Sequence, residues 1–441
     1  MIQIIKKFKL LYVSLIFVMF FSCTNKYSSE EDDNLNPTVN YNPTPYFANP
    51  NDVVSGASVQ LAQANLTATN LDLAKNCNFK IIRTDFFWEN VEKINKGFYD
   101  WTFYDNLKNL LISRGLRPFF TLNRNNTLYT NDWGNEIVGT ENVTAFANFA
   151  KTAALRYNAL KPVWEIYNEP NLSGNWISTK TKLQQAIDFT NLVKETAKAM
   201  RKAVSDITII APALALDPVS GDPDYQYLEY CLQNGILDYI DGISIHPYST
   251  VAPEIASLDY YITTQNLINS YSGNRFVPVI EGETGYSFVP SWIYVTNQTV
   301  QANFIERQFL LNFSLSLPLS NYFNLFDYTD VGNYNPNDQE WNFGLCDNNK
   351  IPKLAYTRVK TMLTTLSGLK FIGSYATIAG DYQLEFSNGV KYITVAWTTN
   401  TVHTTTIYGT NYSLNDIPKY ITKPWKFDFK FIERTLTKIF V

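Results

Sequence analysis

Two glutamates at the ends of apolar runs are the residues of this chain most able to do chemistry. Glu169 follows the run 162–166, and Glu283 follows the run 277–280 shortly before a glycine. They lie 114 residues apart, about the length that three βα units of a barrel occupy. Two facing carboxyls can protonate a leaving oxygen and attack an anomeric carbon. Cleavage of a glycosidic bond is one reaction that such a pair can perform.

Either glutamate alone is weak evidence, because Asn and Pro beside a Glu also form ordinary surface turns. A third strand end strengthens the pattern: the run 243–245 leads into His246-Pro247-Tyr248, between the two glutamates. The chain has two histidines and four cysteines, so a histidine-rich zinc site or a Ser-His-Asp triad fits poorly. A net charge of −4 with scattered lysines and arginines argues against nucleic-acid binding. With these classes excluded, catalysis by carboxylates is the interpretation that remains.

The elements that would position these residues alternate along the chain. Periodic helical stretches lie between short buried runs, for example at 100–114, 141–160, 181–205 and 299–315. Alternation of this kind predicts an α/β fold, and eight repeats predict a closed (β/α)8 TIM barrel over residues 51–366. The eight candidate strands are 53–61, 79–84, 117–122, 163–167, 207–212, 240–245, 276–282 and 321–326.

Beyond residue 366 the hydrophobic period changes from helical to alternating. Residues 382–397 read as a hairpin with Asn388-Gly389 in its turn, and 401–408 and 425–432 continue the pattern. We expect a small all-β, sandwich-like domain over 367–441. A sugar-binding module is the alternative, with Trp397 and Trp425 as its aromatic platforms.

The N-terminus has the features of an export signal. Three lysines precede an apolar run at 10–21, which is too short to cross a bilayer, and Ser22-Cys23 follows. This resembles a lipobox, which implies a signal peptide over 1–22 and lipidation of Cys23. The acidic run 28–33 resembles the export tag of surface lipoproteins in Bacteroidetes-type bacteria. We expect a linker over 23–50 and an outer-membrane, cell-surface location; an ordinary signal peptide is the alternative.

The three strand ends together resemble the clan A glycoside hydrolases, in particular families 5 and 39. That resemblance implies a retaining enzyme with Glu169 as acid/base and Glu283 as nucleophile, about 5–5.5 Å apart. Asn168 is expected to bind the sugar 2-hydroxyl. Tyr248 is expected to orient Glu283, and His246 to lie near Glu169, although a core histidine is the alternative. Repulsion between the two carboxyls should raise the pKa of Glu169.

The segment 83–92 resembles the second βα unit of family 5 and family 39 members. On that basis Arg83 is expected to pair with the nucleophile, with a structural ion pair as the alternative, and Trp88 is a candidate substrate-binding residue. The predicted eighth strand lacks the tryptophan often found at its end, so Trp341 or Tyr328 is expected to supply the sugar platform.

Two further glutamates compete for the same roles. Glu165 and Glu281 precede the proposed catalytic residues by four and two positions, so strand alternation would point them the same way, deeper in the barrel. Burial there requires a partner such as Arg83 or a tyrosine. We assign the nucleophile to Glu283 because active sites of this fold lie at the carboxyl ends of the strands.

The sequence thus predicts a retaining β-glycosidase or endo-glycanase that acts on a β-linked oligosaccharide or polysaccharide. We expect a monomer that needs no cofactor and no metal. The alternative is a non-catalytic glycan-binding lipoprotein on the same barrel. An esterase lacks support, because the chain has no Gly-x-Ser-x-Gly motif.

Overall fold

Eight parallel strands form a closed barrel, as the alternation predicts. The computed structural model describes residues 47–216, 225–289, 295, 297–328 and 337–423. Each predicted strand is present, with ends that differ by a few residues. The strands are β1 (Ala57–Gln60), β2 (Ile81–Phe87), β3 (Arg117–Asn123), β4 (Val163–Ile166), β5 (Thr208–Ala215), β6 (Gly242–His246), β7 (Val279–Thr284) and β8 (Ser320–Tyr322).

Helices alternate with these strands and surround the barrel. Side-chain caps start several of them: Thr67, Thr181 and Asn297 each accept a hydrogen bond from a backbone amide of the first turn of α1, α4 and α7. The helices are α1 (Ala68–Asn76), α2 (Thr102–Arg114), α3 (Thr140–Tyr157), α4 (Lys182–Ala203), α5 (Tyr225–Gln233), α6 (Pro253–Tyr271), α7 (Gln298–Ser314) and α8 (Leu354–Leu366), with a single helical turn at Trp88–Val91.

The first and last barrel strands are shorter than predicted. Val53–Gly56 forms a 3-10 turn rather than strand, because Asp52 accepts a hydrogen bond from the amide of Val54. The eighth strand ends at Tyr322, and Phe326 bridges to Cys346 in the following loop. The predicted segment 321–326 was wrong at its end, since a run of buried residues does not distinguish a strand from a buried loop.

Inside the barrel an apolar layer closes the bottom and a polar layer lies above it. The bottom layer consists of Phe47, Ile81, Phe119, Val163, Ile210, Ile280 and Leu319. Two residues further along the strands, the inward positions carry Arg83, Thr121, Glu165 and Ser244, all buried. A polar layer of this kind between an apolar floor and the carboxyl ends of the strands supports a site at that end.

The C-terminal residues form a separate antiparallel region. Its four-stranded sheet has the order β14 (Lys419–Thr422), β11 (Tyr392–Thr398), β10 (Asp381–Ser387), β9 (Lys370–Ser374), and a hairpin pairs β12 (His403–Ile407) with β13 (Thr410–Leu414). The predicted hairpin is confirmed, with Asn388 and Gly389 between β10 and β11. A cluster of Ala396, Ile407, Leu414 and Ile421 joins the two sheets as two layers.

One candidate platform of this region, Trp397, does not lie at its surface. Trp397 is fully buried; its indole nitrogen donates to Glu254 at 2.8 Å, and its ring stacks on Tyr382. Trp425, the predicted strand 425–432, Cys23 and the acidic run 28–33 lie outside the described residues. Within the described ranges no helix is both long and apolar enough to cross a membrane. Cys77, Cys231 and Cys346 are buried.

Candidate active site

Glu169 lies just beyond β4, in a turn made by residues with left-handed backbone. Tyr167 and Glu169 have φ angles of 68° and 48°, which are uncommon for residues other than glycine. The phenol of Tyr167 donates to the carbonyl of Asn175 at 2.6 Å, and the amide of Glu169 donates to the carbonyl of Ala213 on β5 at 3.1 Å. Such conformations persist where the surrounding structure holds them, and they concentrate at functional sites. The turn places Asn168 and Glu169 together at the barrel mouth.

Glu283 is held at both carboxylate oxygens. The phenol of Tyr248, just past the end of β6, donates to Oε1 at 2.7 Å, and Nη1 of Arg83 donates to Oε2. The side chain of Glu283 is 12% exposed, so it reaches solvent at the mouth. Burial, chiefly, raises the pKa of Tyr248 well above its ordinary value, so its hydroxyl stays a hydrogen-bond donor at any working pH.

The structure brings Glu169, His246 and Glu283 to one point. One donor atom from each lies within 4.8 Å of the others. Three such groups have the composition of a metal site, but the guanidinium of Arg83 already supplies a positive charge against Glu283. The expectation that the site needs no metal stays a prediction. The short separation of the two carboxyls lets both of them reach one bond of a bound molecule.

Arg83 connects Asn168 and the proposed nucleophile Glu283 to the polar layer beneath them. Its Nη2 donates to Oε2 of Glu165 at 2.7 Å and to Oδ1 of Asn168 at 2.9 Å. Its Nη1 donates to Oε2 of Glu283. Burial works against the charge of Arg83, but the charges of Glu165 and Glu283 outweigh it and raise the pKa of the guanidinium. Glu165 also accepts from Ser244 at 2.5 Å. Arg83 therefore pairs with both a buried structural carboxylate and the proposed nucleophile.

Glu281 does not point the same way as Glu283, and the expectation based on strict alternation was wrong. Its carboxylate lies outside the barrel, among Tyr261, Gln308 and Asn312 of α6 and α7. The cause is a register shift of β7 against β8 between Glu281 and Thr284. The intervening Gly282 faces the interior, where a Cβ would lie 2.1 Å from the hydroxyl of Ser244. The assignment of Glu283 over Glu281 thus gains a geometric reason.

Glu169 and His246 form a hydrogen-bonded pair that shares a proton. Nδ1 of His246 lies 2.9 Å from Oε1 of Glu169. Burial favours a raised pKa for Glu169, but the hydrogen bond and charge of His246 prevail and lower it. Burial disfavours the charge of His246, yet the hydrogen bond that its Nδ1 donates to Glu169 and the charge of Glu283 raise its pKa. The structure thus brings His246 to Glu169 as expected, but the expected rise in the pKa of Glu169 was wrong, because it counted only the repulsion from Glu283 and not the hydrogen bond and charge of His246.

This pairing predicts a specific effect of replacing His246. As the pH rises, the pair of Glu169 and His246 loses its proton at the raised pKa of His246, which lies above the ordinary value of 6.5. His246→Gln leaves Glu169 to hold the proton alone. We therefore expect the alkaline limb of the kcat/KM profile to move to lower pH in His246→Gln, measured on a substrate with a poor leaving group. An alkaline limb that stays in place would contradict the shared proton.

Tyr248 provides a second local prediction. Tyr248→Phe removes one hydrogen bond to a charged acceptor, worth on the order of 1.5–3 kcal/mol. Because that bond orients Oε1 of the proposed nucleophile, kcat should fall roughly tenfold to a hundredfold. The ring packs edge-on against Phe343 with centroids 5.8 Å apart, and phenylalanine preserves that contact, so the melting temperature should change little. Full activity in Tyr248→Phe would show that this phenol does not serve the nucleophile.

Trp88 does not lie in the cleft. Its side chain is fully buried, its indole nitrogen donates to Glu92 at 2.5 Å, and its ring stacks on Tyr129. The structure gives it a packing role and corrects its place among the substrate-binding candidates. Tyr328 and Trp341 do meet, with ring centroids 4.4 Å apart, and Tyr328 is 47% exposed.

Glu340, next to Trp341, ties this aromatic pair to the active site. Burial raises the pKa of Glu340, and the charges of Glu283 and Glu169 contribute to the rise. Glu340 therefore lies close enough to Glu169 and Glu283 for their charges to act on it. The role of Tyr328 and Trp341 as a sugar platform stays a prediction.

Sequence reasoning missed three residues of the site, namely Asp85, its partner Asn123, and Phe343. Asp85 lies two positions past Arg83 on the same face of β2, and its Oδ1 accepts from Nδ2 of Asn123 on β3 at 2.8 Å. Alternation along β2 could have revealed it. Phe343 packs against Tyr248. No sequence pattern around either residue predicts that contact, because a loop brings the two together.

A closed (β/α)8 barrel that presents an Asn-Glu pair after β4 and a second Glu at the end of β7 has the fold and site of a glycoside hydrolase. The sequence agrees with a known family over most of its length. The family model for glycosyl hydrolases family 39 matches residues 53–372, and the chain belongs to that family.

Solved structures of the same fold include other members of this family. A family 39 glycoside hydrolase from the gut symbiont Bacteroides cellulosilyticus WH2 is 19% identical, with a TM-score of 0.69 over 84% of this chain and 81% of that one. A monomeric β-xylosidase from Caulobacter crescentus CB15 is 17% identical, with a TM-score of 0.59 over 81% and 75%. A family 30 endoxylanase from Clostridium papyrosolvens C71 is 12% identical, with a TM-score of 0.55 over 84% and 93%.

Proposed function

We propose that this glycoside hydrolase cleaves β-linked sugars with retention, by double displacement. The observation that carries the proposal is the geometry of Glu169 and Glu283, whose nearest carboxylate atoms lie within 4.8 Å. Retaining enzymes place the two carboxyls about 5–5.5 Å apart, whereas inverting enzymes need about 6.5–9.5 Å to admit a water molecule. The separation leaves no room for a water between nucleophile and sugar.

Each residue of the site has a task in this reaction. Glu283, held by Tyr248 and Arg83, attacks the anomeric carbon and forms a covalent glycosyl-enzyme. Glu169 protonates the leaving oxygen, and in the second step it takes a proton from the water that releases the sugar. Arg83 binds Oδ1 of Asn168, which leaves the amide of Asn168 to donate to the sugar 2-hydroxyl.

The proton for the first step comes from the pair of Glu169 and His246. In the free enzyme the directions of both pKa shifts favour an ion pair. A bound sugar excludes water, and loss of water disfavours both charges. The proton then moves across the 2.9 Å hydrogen bond onto Glu169, where the leaving oxygen can take it. A neutral Glu169 thus arises when substrate is present.

We further propose a β-linked oligosaccharide or polysaccharide as the substrate and a monomer as the active form. Similarity to a monomeric β-xylosidase makes β-xylosides the first substrates to test. A panel of aryl β-glycosides and plant polysaccharides, with sizing of the products, identifies the sugar and separates endo from exo action. No turnover anywhere on the panel would favour a glycan-binding protein instead.

Azide rescue tests the roles of the two glutamates. Glu169→Ala should regain activity with azide and yield a β-glycosyl azide, because azide attacks the glycosyl-enzyme from the face that water uses. Glu283→Ala should yield the α-glycosyl azide, because azide then takes the place of the nucleophile. Nuclear magnetic resonance of the products distinguishes the two anomers. The opposite pair of anomers would reverse the assignment.

We also propose that Cys23 carries a lipid and anchors the enzyme at the outer surface of the outer membrane. The support is the apolar run, Ser22-Cys23 and the acidic run 28–33 in the sequence. Cys23→Ala should move the protein from the membrane fraction to the soluble fraction with full activity, since the barrel lies well past the anchor. Protease treatment of intact cells should remove the wild-type enzyme. Protection from protease would argue for the inner face of the membrane.

A further inference from the structure

A half-exposed tryptophan lies on the rim of the barrel. Trp133 belongs to the loop between β3 and α3, and 46% of its side chain is exposed. Loops that follow the strands of this fold lie at the catalytic face. Four other tryptophans are fully buried, namely Trp88, Trp164, Trp176 and Trp397. An exposed indole at that face offers a flat apolar surface to a bound molecule.

The ring of Trp133 is held in place from one side. The guanidinium of Arg124 lies over it, 4.7 Å from the centroid, and Phe87 meets it at 66° with centroids 6.2 Å apart. Nη1 of Arg124 in turn donates to the carbonyl of Gly174 at 3.2 Å. A cation over one face favours a fixed ring. The exposed fraction is too large for the opposite face to be covered as well.

This ring is linked closely to the proposed acid/base. Gly174, which Arg124 contacts, precedes Asn175, and Nδ2 of Asn175 donates to Oε2 of Glu169 at 3.1 Å. Phe87 lies four residues past Arg83 on the same face of β2, roughly 13 Å along the strand. The aromatic pair of Phe87 and Trp133 therefore lies on the same side of the barrel mouth as Glu169, farther out along β2 than Arg83.

Asp85 lies between Arg83 and Phe87 along β2. It follows Arg83 by two residues on the inward face of β2, and its Oδ1 accepts from Nδ2 of Asn123. A carboxylate accepts hydroxyl protons, and an aromatic face packs against the C–H side of a sugar ring. Asp85 and Trp133 offer both kinds of contact in succession along one side of the cleft.

We propose that Trp133 is the stacking platform for a second pyranose ring of a β-linked oligosaccharide, adjacent to the ring that is cleaved. Asp85 accepts a hydroxyl between the two ring sites. The inference rests on the proposed function and deepens it: the cleft selects substrates of at least two sugars over simple monosaccharide glycosides.

The experiment compares one substrate that fills only the reacting position with one that extends beyond it. The probes are a β-glycosyl fluoride and the β-1,4-linked trisaccharide of the same sugar, in the xylose, glucose and mannose series. Trp133→Ala should lower kcat/KM on the trisaccharide by roughly tenfold to fiftyfold, mainly through KM, because stacking contributes to binding. The fluoride should change by less than about twofold, since it does not reach the platform.

Two further variants make the result specific. Trp133→Tyr keeps a ring and should retain most of the trisaccharide activity. Phe98→Ala is the matched control, because Phe98 is 64% exposed and lies with Ile94 and Arg156 on a different groove; it should behave as wild type. A Trp133→Ala enzyme unchanged on both substrates would overturn the proposal. Equal losses on both substrates would also overturn it, because they would indicate a structural role.

Direct binding separates this proposal from the proposed function. Calorimetric titration with the trisaccharides measures the platform without turnover when both proteins carry Glu283→Gln, which cannot form the glycosyl-enzyme. Trisaccharide binding that Glu283→Gln shows and Glu283→Gln/Trp133→Ala loses supports the platform, even if wild type does not hydrolyse the fluoride and the catalytic proposal fails. Equal affinity in the two variants, or no trisaccharide binding by Glu283→Gln, refutes the platform even if wild type cleaves the fluoride.

Discussion

Glu283→Gln should lower kcat/KM by a factor on the order of 10⁴ or more, whereas Glu281→Gln should keep activity within about tenfold. An amide cannot form the glycosyl-enzyme, so the first variant loses the covalent step altogether. Glu281 lies behind the barrel wall against Tyr261 and Asn312, where it has no access to substrate. Initial rates on an activated aryl glycoside measure both losses. Greater loss in Glu281→Gln would show that the wrong glutamate of the pair was chosen.

A stability profile checks that the Glu281→Gln control is informative. Burial raises the pKa of Glu281 to about 7, against the hydrogen bonds from Tyr261 and Asn312. The folded chain therefore keeps a proton that the unfolded chain releases near the ordinary value of 4.5, and the free energy of unfolding falls as the pH rises from there to about 7. Glu281→Gln should show a smaller decline, because burial also raises the pKa of Glu306 to about 7 and that contribution stays. An unaltered decline would mean that another buried group causes it.

Arg83→Met should destabilise the fold by about 3–5 kcal/mol and abolish most activity. The guanidinium and the carboxylate of Glu165 are both almost completely buried, 1% and 0% exposed, so removal of Arg83 leaves a charge without its counter-ion. Loss of the contacts to Glu283 and Asn168 disorients the nucleophile and the 2-hydroxyl ligand. Chemical denaturation measures the stability, and turnover of an activated glycoside measures the activity.

The double variant Arg83→Met/Glu165→Gln separates the two effects. Neutralising Glu165 removes the unpaired charge, so stability should recover by about 1–3 kcal/mol relative to Arg83→Met. Activity should stay low, because Glu283 still lacks its guanidinium partner. Recovery of activity together with stability would indicate that Arg83 acts only through folding. A single variant that loses less than about 1 kcal/mol would contradict the buried pair.

The barrel and the place of its catalytic ends were predictable from residues 162–171 and 277–286. Buried runs that end in Asn-Glu-Pro and Glu-x-Gly report both strand direction and strand end, and the fold requires the site to lie there. The same reasoning failed for Glu281. Alternation is reliable only in a regular strand, and the register shift at Gly282 depends on the fit of β7 against β8, which one segment of sequence does not encode.

Other features depend on contacts between distant segments. The lowered pKa of Glu169 arises from His246, 77 residues away, and a carboxylate pair read from sequence alone suggested the opposite direction. Trp88 is of a residue type that can form a sugar platform, but its ring packs against Tyr129, away from the cleft. Residue types in a motif thus predicted the chemistry better than they predicted which side chains face the substrate.

Trapping the reaction intermediate tests the central claim most directly. A 2-deoxy-2-fluoro glycoside with a good leaving group slows both steps, and slows breakdown of the glycosyl-enzyme enough for it to accumulate. Mass spectrometry of the digested enzyme should show one added fluoro-sugar, on the peptide that contains Glu283 and on Glu283 itself. A label on Glu281 or Glu169, or hydrolysis of natural substrate with inversion and no label, would contradict the account.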